Sequence, residues 1–121
     1  MSDEYVLLIL EPEWDPAAMT EDDWKKGMAG HKAFQDAVAA AGEKIVASSA
    51  LQPVTAATKI MRGPDGSPVF TDGPFGETRE VVTGFYSFTA ATPEQARELA
   101  AIVPSSGWTE LYPVLVLDRV S

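Results

Sequence analysis

The chain has 121 residues, of which 45% are hydrophobic, enough to build one domain around a single core. Its net charge of −9 argues against nucleic-acid binding, which needs clustered Lys and Arg, and disfavours anionic membrane surfaces. The absence of cysteine excludes disulfides, thiol nucleophiles and thiolate metal sites. Because the first residues also lack the pattern of a secretory signal, we expect a cytoplasmic protein.

The first elements are a strand and a helix. Residues 5–10 form a short apolar run rich in β-formers, which predicts a buried central strand. Residues 11–18 contain two prolines between acidic side chains and are predicted to be a loop. Thr20 is typical of a helix N-cap, three acidic residues follow it, and Gly42 is a natural stop. The helical spacing predicts one apolar stripe, made of Trp24, Met28, His31, Phe34, Val38 and Ala41.

A strand and a hairpin follow the first helix. Residues 44–51 have a β-branched centre and predict the second strand. Residues 55–62 and 67–71 flank the sequence Gly-Pro-Asp-Gly at 63–66, which is typical of a hairpin turn.

The last third contains a strand, a helix and a strand. Residues 81–88 alternate between apolar and polar side chains and predict a strand. Thr92 is a helix cap, and Gln95 is expected to close a capping box with it. Residues 108–117 predict the final strand, in which Pro113 indicates an edge position or a bulge.

This order of elements predicts the fold class. Strand, helix, strand, hairpin, strand, helix and strand correspond to an α+β domain of the ferredoxin-like split βαβ type with an extra hairpin, which spans residues 1–121. Two helices on one face of an antiparallel sheet leave the other face uncovered. Since the strands have enough apolar side chains for that face, we expect a homodimer that associates sheet to sheet.

The polar segment at 71–80 is a candidate binding loop, because loops fixed between strands often carry function. Asp72 alone is explained by a turn in which its carboxylate caps backbone amides. That explanation does not account for Phe75, Glu77 and Arg79, which follow closely. Glu77 and Arg79 are either an exposed ion pair of small energetic effect or the charged lining of a pocket that orients a small polar or anionic ligand.

His31 is the single histidine of the chain. It is either a hydrogen-bonded structural residue on the first helix or a general acid or base, since imidazole titrates near neutral pH. One histidine without cysteine does not predict a zinc site, and no cofactor motif is present. Glu11, Glu13 and Asp15 lack the spacing of a calcium loop and are interpreted as solvated rather than as metal ligands.

The segment Thr-Asp-Gly-Pro-Phe-Gly-Glu-Thr-Arg-Glu at 71–80, followed by Gly-Phe-Tyr at 84–86, resembles the signature of the DGPF branch of the YCII-related proteins. His-Lys-Ala-Phe at 31–34 and Ala-Leu-Gln-Pro at 50–53 lie in the order expected for that family. The similarity extends over nearly the whole chain.

The resemblance implies a dimeric α+β barrel, found in small cytosolic bacterial proteins, with a His-Asp pair in a cleft. Here that pair maps onto His31 and Asp72, the carboxylate holding one ring nitrogen so that the other exchanges a proton with a ligand. Arg79 would then stabilise an anionic ligand or intermediate. Relatives of this branch are associated with extracytoplasmic-function sigma factors, which implies a regulatory partner as the alternative to an enzyme.

Three hypotheses therefore follow. The first is a small enzyme with His31 and Asp72 as an acid-base pair, for which Glu77 and Arg79 orient a polar metabolite. The second is a non-catalytic dimeric module that binds a ligand or a sigma factor through the loop. The third, a purely structural dimer, gives the charged loop no role.

Overall fold

The structure is a computed structural model that describes residues 1–12, 16–73 and 80–117. Its strands and helices, in chain order, are β1 (Asp3–Pro12), α1 (Glu21–Ala40), β2 (Ile45–Ala50), β3 (Thr58–Arg62), β4 (Pro68–Asp72), β5 (Glu80–Ala90), α2 (Pro93–Ala100) and β6 (Trp108–Pro113). Single 3-10 turns lie at Pro16–Ala18 and Val54–Ala56.

Four strands form one antiparallel sheet in the order β2-β5-β1-β6. β1 lies in the interior of the sheet, paired with β5 on one side and β6 on the other, which confirms that it is a central strand. This order and the two helices confirm the predicted α+β fold of the ferredoxin-like type. β6 is an edge strand that ends at Pro113, so Pro113 lies at an edge as predicted, and the strand is four residues shorter than expected.

The caps of the helices largely agree with the sequence. Thr20 accepts a hydrogen bond from the Asp23 amide, and the Asp23 carboxylate accepts one from the Thr20 amide, which completes a capping box at α1. At α2 the predicted box is wrong in its second half. Thr92 accepts from the Gln95 amide, but the Gln95 side chain accepts from the amide of Ala91, one residue before the cap.

The hydrophobic core lies between the helices and one face of the sheet. Its largest fully buried side chains are Leu7 of β1, Phe34 and Val38 of α1, and Phe88 of β5. The Phe34 ring contacts Phe88 edge to face, with centroids 5.3 Å apart. Phe34 and Val38 of the predicted stripe are therefore core, as the spacing predicts, whereas Ala41 is exposed at the C-cap of α1.

The N-terminal half of the same stripe is not core. Trp24 is 45% exposed, Met28 is 69% exposed, and His31 is half-buried. Since these three residues continue the face that carries Phe34, α1 extends beyond the core and covers an open space beside the sheet.

β3 and β4 form a separate two-stranded sheet, and every residue of both strands is exposed. The turn between them is closed by a hydrogen bond from the Gly63 amide to the Ser67 carbonyl, and Gly66 has a φ of 85° that favours glycine. The predicted hairpin is confirmed. Its first strand begins three residues later than expected, after the 3-10 turn at Val54–Ala56.

Neither helix of the described residues is long and apolar enough to cross a membrane.

Candidate functional site

A cavity of about 430 Å³ lies between the sheet and the N-terminal half of α1. The strands β1, β5 and β2 form its floor, and the segment after α2 forms its rim. The cavity lining includes Ile9, Glu11, Met19, Trp24, Met28, His31, Thr83, Tyr86, Pro104 and Ser106. Its size falls within the usual range for small-molecule sites in proteins.

His31 is held in the cavity wall by Tyr86 of β5. The His31 Nδ1 atom lies 2.7 Å from the Tyr86 hydroxyl, a hydrogen-bond distance. The two rings are 5.6 Å apart between centroids, and Phe34 packs against Tyr86 with a centroid distance of 4.6 Å. The core of the domain thus positions the phenol, and the phenol positions the imidazole.

Burial sets the protonation of both groups. Desolvation lowers the pKa of His31 below its usual 6.5, while the negative charge of Glu11 opposes that change. Desolvation also raises the pKa of Tyr86, against a hydrogen bond with Gln35 that lowers it. His31 is therefore a neutral imidazole, and Tyr86 a neutral phenol, near pH 7.5.

A phenol can form a hydrogen bond with either tautomer of the imidazole, because its hydroxyl both donates and accepts. When the Tyr86 hydroxyl donates to Nδ1, the other nitrogen, Nε2, keeps its hydrogen and is a donor. When Nδ1 carries the hydrogen, the Tyr86 oxygen accepts it, and Nε2 is then free to accept a proton. Because a carboxylate could only accept, Tyr86 leaves Nε2 able to act as donor or acceptor toward a ligand.

Glu11 supplies the carboxylate of the cavity. Its Oε2 accepts a 2.8 Å hydrogen bond from the Ser106 hydroxyl, and its Oε1 accepts a 3.2 Å bond from the Thr83 hydroxyl. A bulge in β5 explains the second contact, because Ile9 pairs with Gly84 and Leu10 with Val82, which leaves Thr83 as the extra residue. Bulges often redirect side chains next to functional sites.

Of the predicted site residues, the structure places His31 in the cavity wall but not Asp72. His31 lines the cavity, whereas Asp72 is exposed at the end of β4, opposite Thr58, and is not among the residues that line it. Phe75, Glu77 and Arg79 lie outside the described residues. The pairing of His31 with Asp72 and the three loop roles stay predictions.

Sequence reasoning missed Glu11 and Tyr86. Glu11 was interpreted as solvated, but it is half-buried and hydrogen-bonded at the end of β1. The available signal was the alternation of β1, because Leu7 and Ile9 face the helices and Glu11 is the next residue on that face. Within the described ranges no group of three or more His, Asp and Glu side chains could hold a metal ion.

Comparison with known proteins gives a concordant result. A family model described as the YCII-related domain matches residues 6–117. An uncharacterized protein of Rhizobium meliloti (strain 1021) is 32% identical over 114 residues, which cover 91% of this chain and 90% of the relative.

Proposed function

Since the chain belongs to the YCII-related family, we propose that the cavity beside His31 is the functional site of this member, where a small polar metabolite binds and exchanges a proton with His31. The observation that carries this proposal is the 2.7 Å contact between His31 Nδ1 and the Tyr86 hydroxyl in the cavity wall. It orients the ring and leaves Nε2 for the ligand.

The chemistry of the wall supports acid-base work. Because burial lowers the pKa of His31, the ring is unprotonated near neutral pH and is available as a general base toward a ligand. Glu11 offers a negative charge on the same cavity, where it would stabilise His31 after protonation. From the resemblance, the proposal keeps Asp72 as the acid-base partner of His31 and keeps Glu77 and Arg79 as residues that orient the ligand.

A thermal-shift screen of polar metabolites tests the proposal. We expect a binding metabolite to raise the melting temperature of the wild type at pH 7.5, because a ligand that binds only the folded state stabilises it. His31→Ala should remove that rise. Lys32→Ala is the matched control, because Lys32 is next to His31 but pairs with Asp36 on the exposed side of α1. An equal rise in His31→Ala would contradict the proposal.

A second candidate function is a dimeric binding module. Tyr5, Leu7 and Ile9 of β1 face the helices, so the alternate, half-buried residues Val6 and Leu8 point to the open face of the sheet. The exposed apolar side chains Val82, Trp108 and Tyr112 continue this open face on the neighbouring strands. An apolar sheet face of this kind supports association with a second copy, and a sigma factor remains the regulatory partner that the resemblance implies.

Charge on the open face should prevent that association. Val82→Asp adds a carboxylate to a face that already carries Glu4 and Glu110, so we expect light scattering to change from a dimer in the wild type to a monomer. Ile102→Asp is the matched control, since Ile102 has the same 38% exposure but follows α2 on the helical side. A monomeric wild type would contradict the dimer, and a dimeric Val82→Asp would contradict the open face of the sheet as its interface.

A further inference from the structure

The described lining of the cavity has a negative charge and no positive one. Glu11 is its only carboxylate, His31 is neutral near pH 7.5, and the described lining contains neither Lys nor Arg. The potential at the cavity therefore favours a cation over an anion.

The Glu11 carboxylate is bound by neutral groups alone within the described ranges. Both of its hydrogen-bond partners, Thr83 and Ser106, are hydroxyls. The ion pairs of that part of the chain lie instead on the exposed surface of α1 and join Lys25 to Glu21, Lys26 to Asp22 and Lys32 to Asp36. A half-buried carboxylate held in this way retains acceptor capacity for a charged donor.

Apart from the serines Ser48, Ser49 and Ser105, most of the remaining wall is apolar, and the indole ring of Trp24 lies at the entrance. Ile9, Met19 and Pro104 contribute apolar surface to the cavity. Trp24 and Met28 lie at its exposed end. An indole attracts cations to its face, and thioethers pack well against apolar groups of irregular shape. A ligand that fits both parts has a cationic head and a short apolar body.

We propose that the cavity binds a small primary amine as its ammonium ion, with the ammonium on the Glu11 carboxylate and the apolar body against Trp24, Met28 and Ile9. This inference rests on the proposed function and names the class of its ligand. The neutral His31 does not repel the ammonium, and its Nε2 atom in the acceptor tautomer takes a second hydrogen bond from it.

Three probes with one body and three head groups test the inference. We would titrate 2-phenylethylamine, 2-phenylethanol and phenylacetate into the protein at pH 7.5 and follow the ring proton signals of His31, which are unambiguous because the chain has one histidine. We expect the amine to bind about tenfold more tightly than the alcohol, as a charge-assisted hydrogen bond predicts, and phenylacetate to bind least.

Glu11→Gln should remove the advantage of the amine and leave the affinity for the alcohol within about twofold. Glu43→Gln should change neither affinity. Glu43 is a suitable control because its carboxylate also accepts bonds from two hydroxyls, those of Ser2 and Thr89, and is not among the lining residues.

Two results would overturn the inference. If phenylacetate binds most tightly and Arg79→Gln removes that binding, the ligand is an anion held by Arg79, and the cavity remains the functional site. If the amine fails to move the His31 signals, the amine class is wrong; if it binds equally well to Glu11→Gln, the ammonium is not held by Glu11 and the inference fails. The proposed function is then judged separately by the metabolite screen with His31→Ala.

Discussion

Phe34→Ala is expected to lower the free energy of unfolding by about 3–5 kcal/mol, the range measured for Phe to Ala changes in protein cores. Phe34 is fully buried in the centre of the core and lies between the rings of Tyr86 and Phe88. Its removal would leave a void between α1 and β5 and would cost both ring contacts. Urea unfolding followed by circular dichroism measures the change.

Phe70→Ala provides the matched comparison for this prediction. The same atoms are removed, but Phe70 is 64% exposed on the β3–β4 hairpin, so we expect a change within about 0.5 kcal/mol. Equal losses in the two variants would show that the centre of the core lies elsewhere.

The effect of Phe34→Ala should extend to the functional site. Phe34 packs on Tyr86, and the Tyr86 hydroxyl lies at hydrogen-bond distance from His31. The core therefore orients the imidazole indirectly, through Tyr86. The core and the cavity share one face of α1, on which residues at helical spacing pass from Trp24 at the entrance to Val38 in the centre. Stability and ligand binding are consequently coupled along this helix.

Most of the fold could be predicted from the sequence because the local signals agree with one another. The apolar run of β1, the Thr caps of both helices and the glycine turn at 63–66 each specify an element by short-range chemistry. Strand ends were less accurate. The apolar residues up to 117 predict a longer final strand, but β6 ends at Pro113. After it, the Val114 amide donates a hydrogen bond to the Glu4 carbonyl.

The site was harder to predict because its groups are far apart along the chain. Helical spacing identified His31 but could not show that the N-terminal half of its stripe lines a cavity. Tyr86 and His31 are 55 residues apart and meet only through the packing of α1 on β5. The Thr83 hydroxyl reaches Glu11 through the bulge in β5, and that bulge has no obvious sequence signal.

The loop at 71–80 illustrates the limit of a motif. Its composition predicts a binding segment, and only the resemblance pairs Asp72 of that segment with His31. The described end of the segment, Thr71 and Asp72, lies on the exposed hairpin. The carboxylate that the structure places on the cavity is Glu11, a residue that the motif does not contain.

The pKa of His31 distinguishes these two carboxylates directly. The negative charge of Glu11 stabilises the protonated imidazole, so Glu11→Gln should lower the pKa of His31 further, whereas Glu43→Gln and Asp72→Asn should leave it unchanged. The direction of the pKa change follows from charge, because the loss of a nearby anion disfavours the protonated, cationic ring.

The most direct test of the His31–Tyr86–Glu11 site is an NMR titration of the single histidine in the wild type and these three variants. The structure predicts a wild-type pKa below 6.5 that falls further only in Glu11→Gln. A wild-type pKa at or above 6.5 that falls in Asp72→Asn and is unchanged in Glu11→Gln would contradict this site and assign the partner of His31 to the loop.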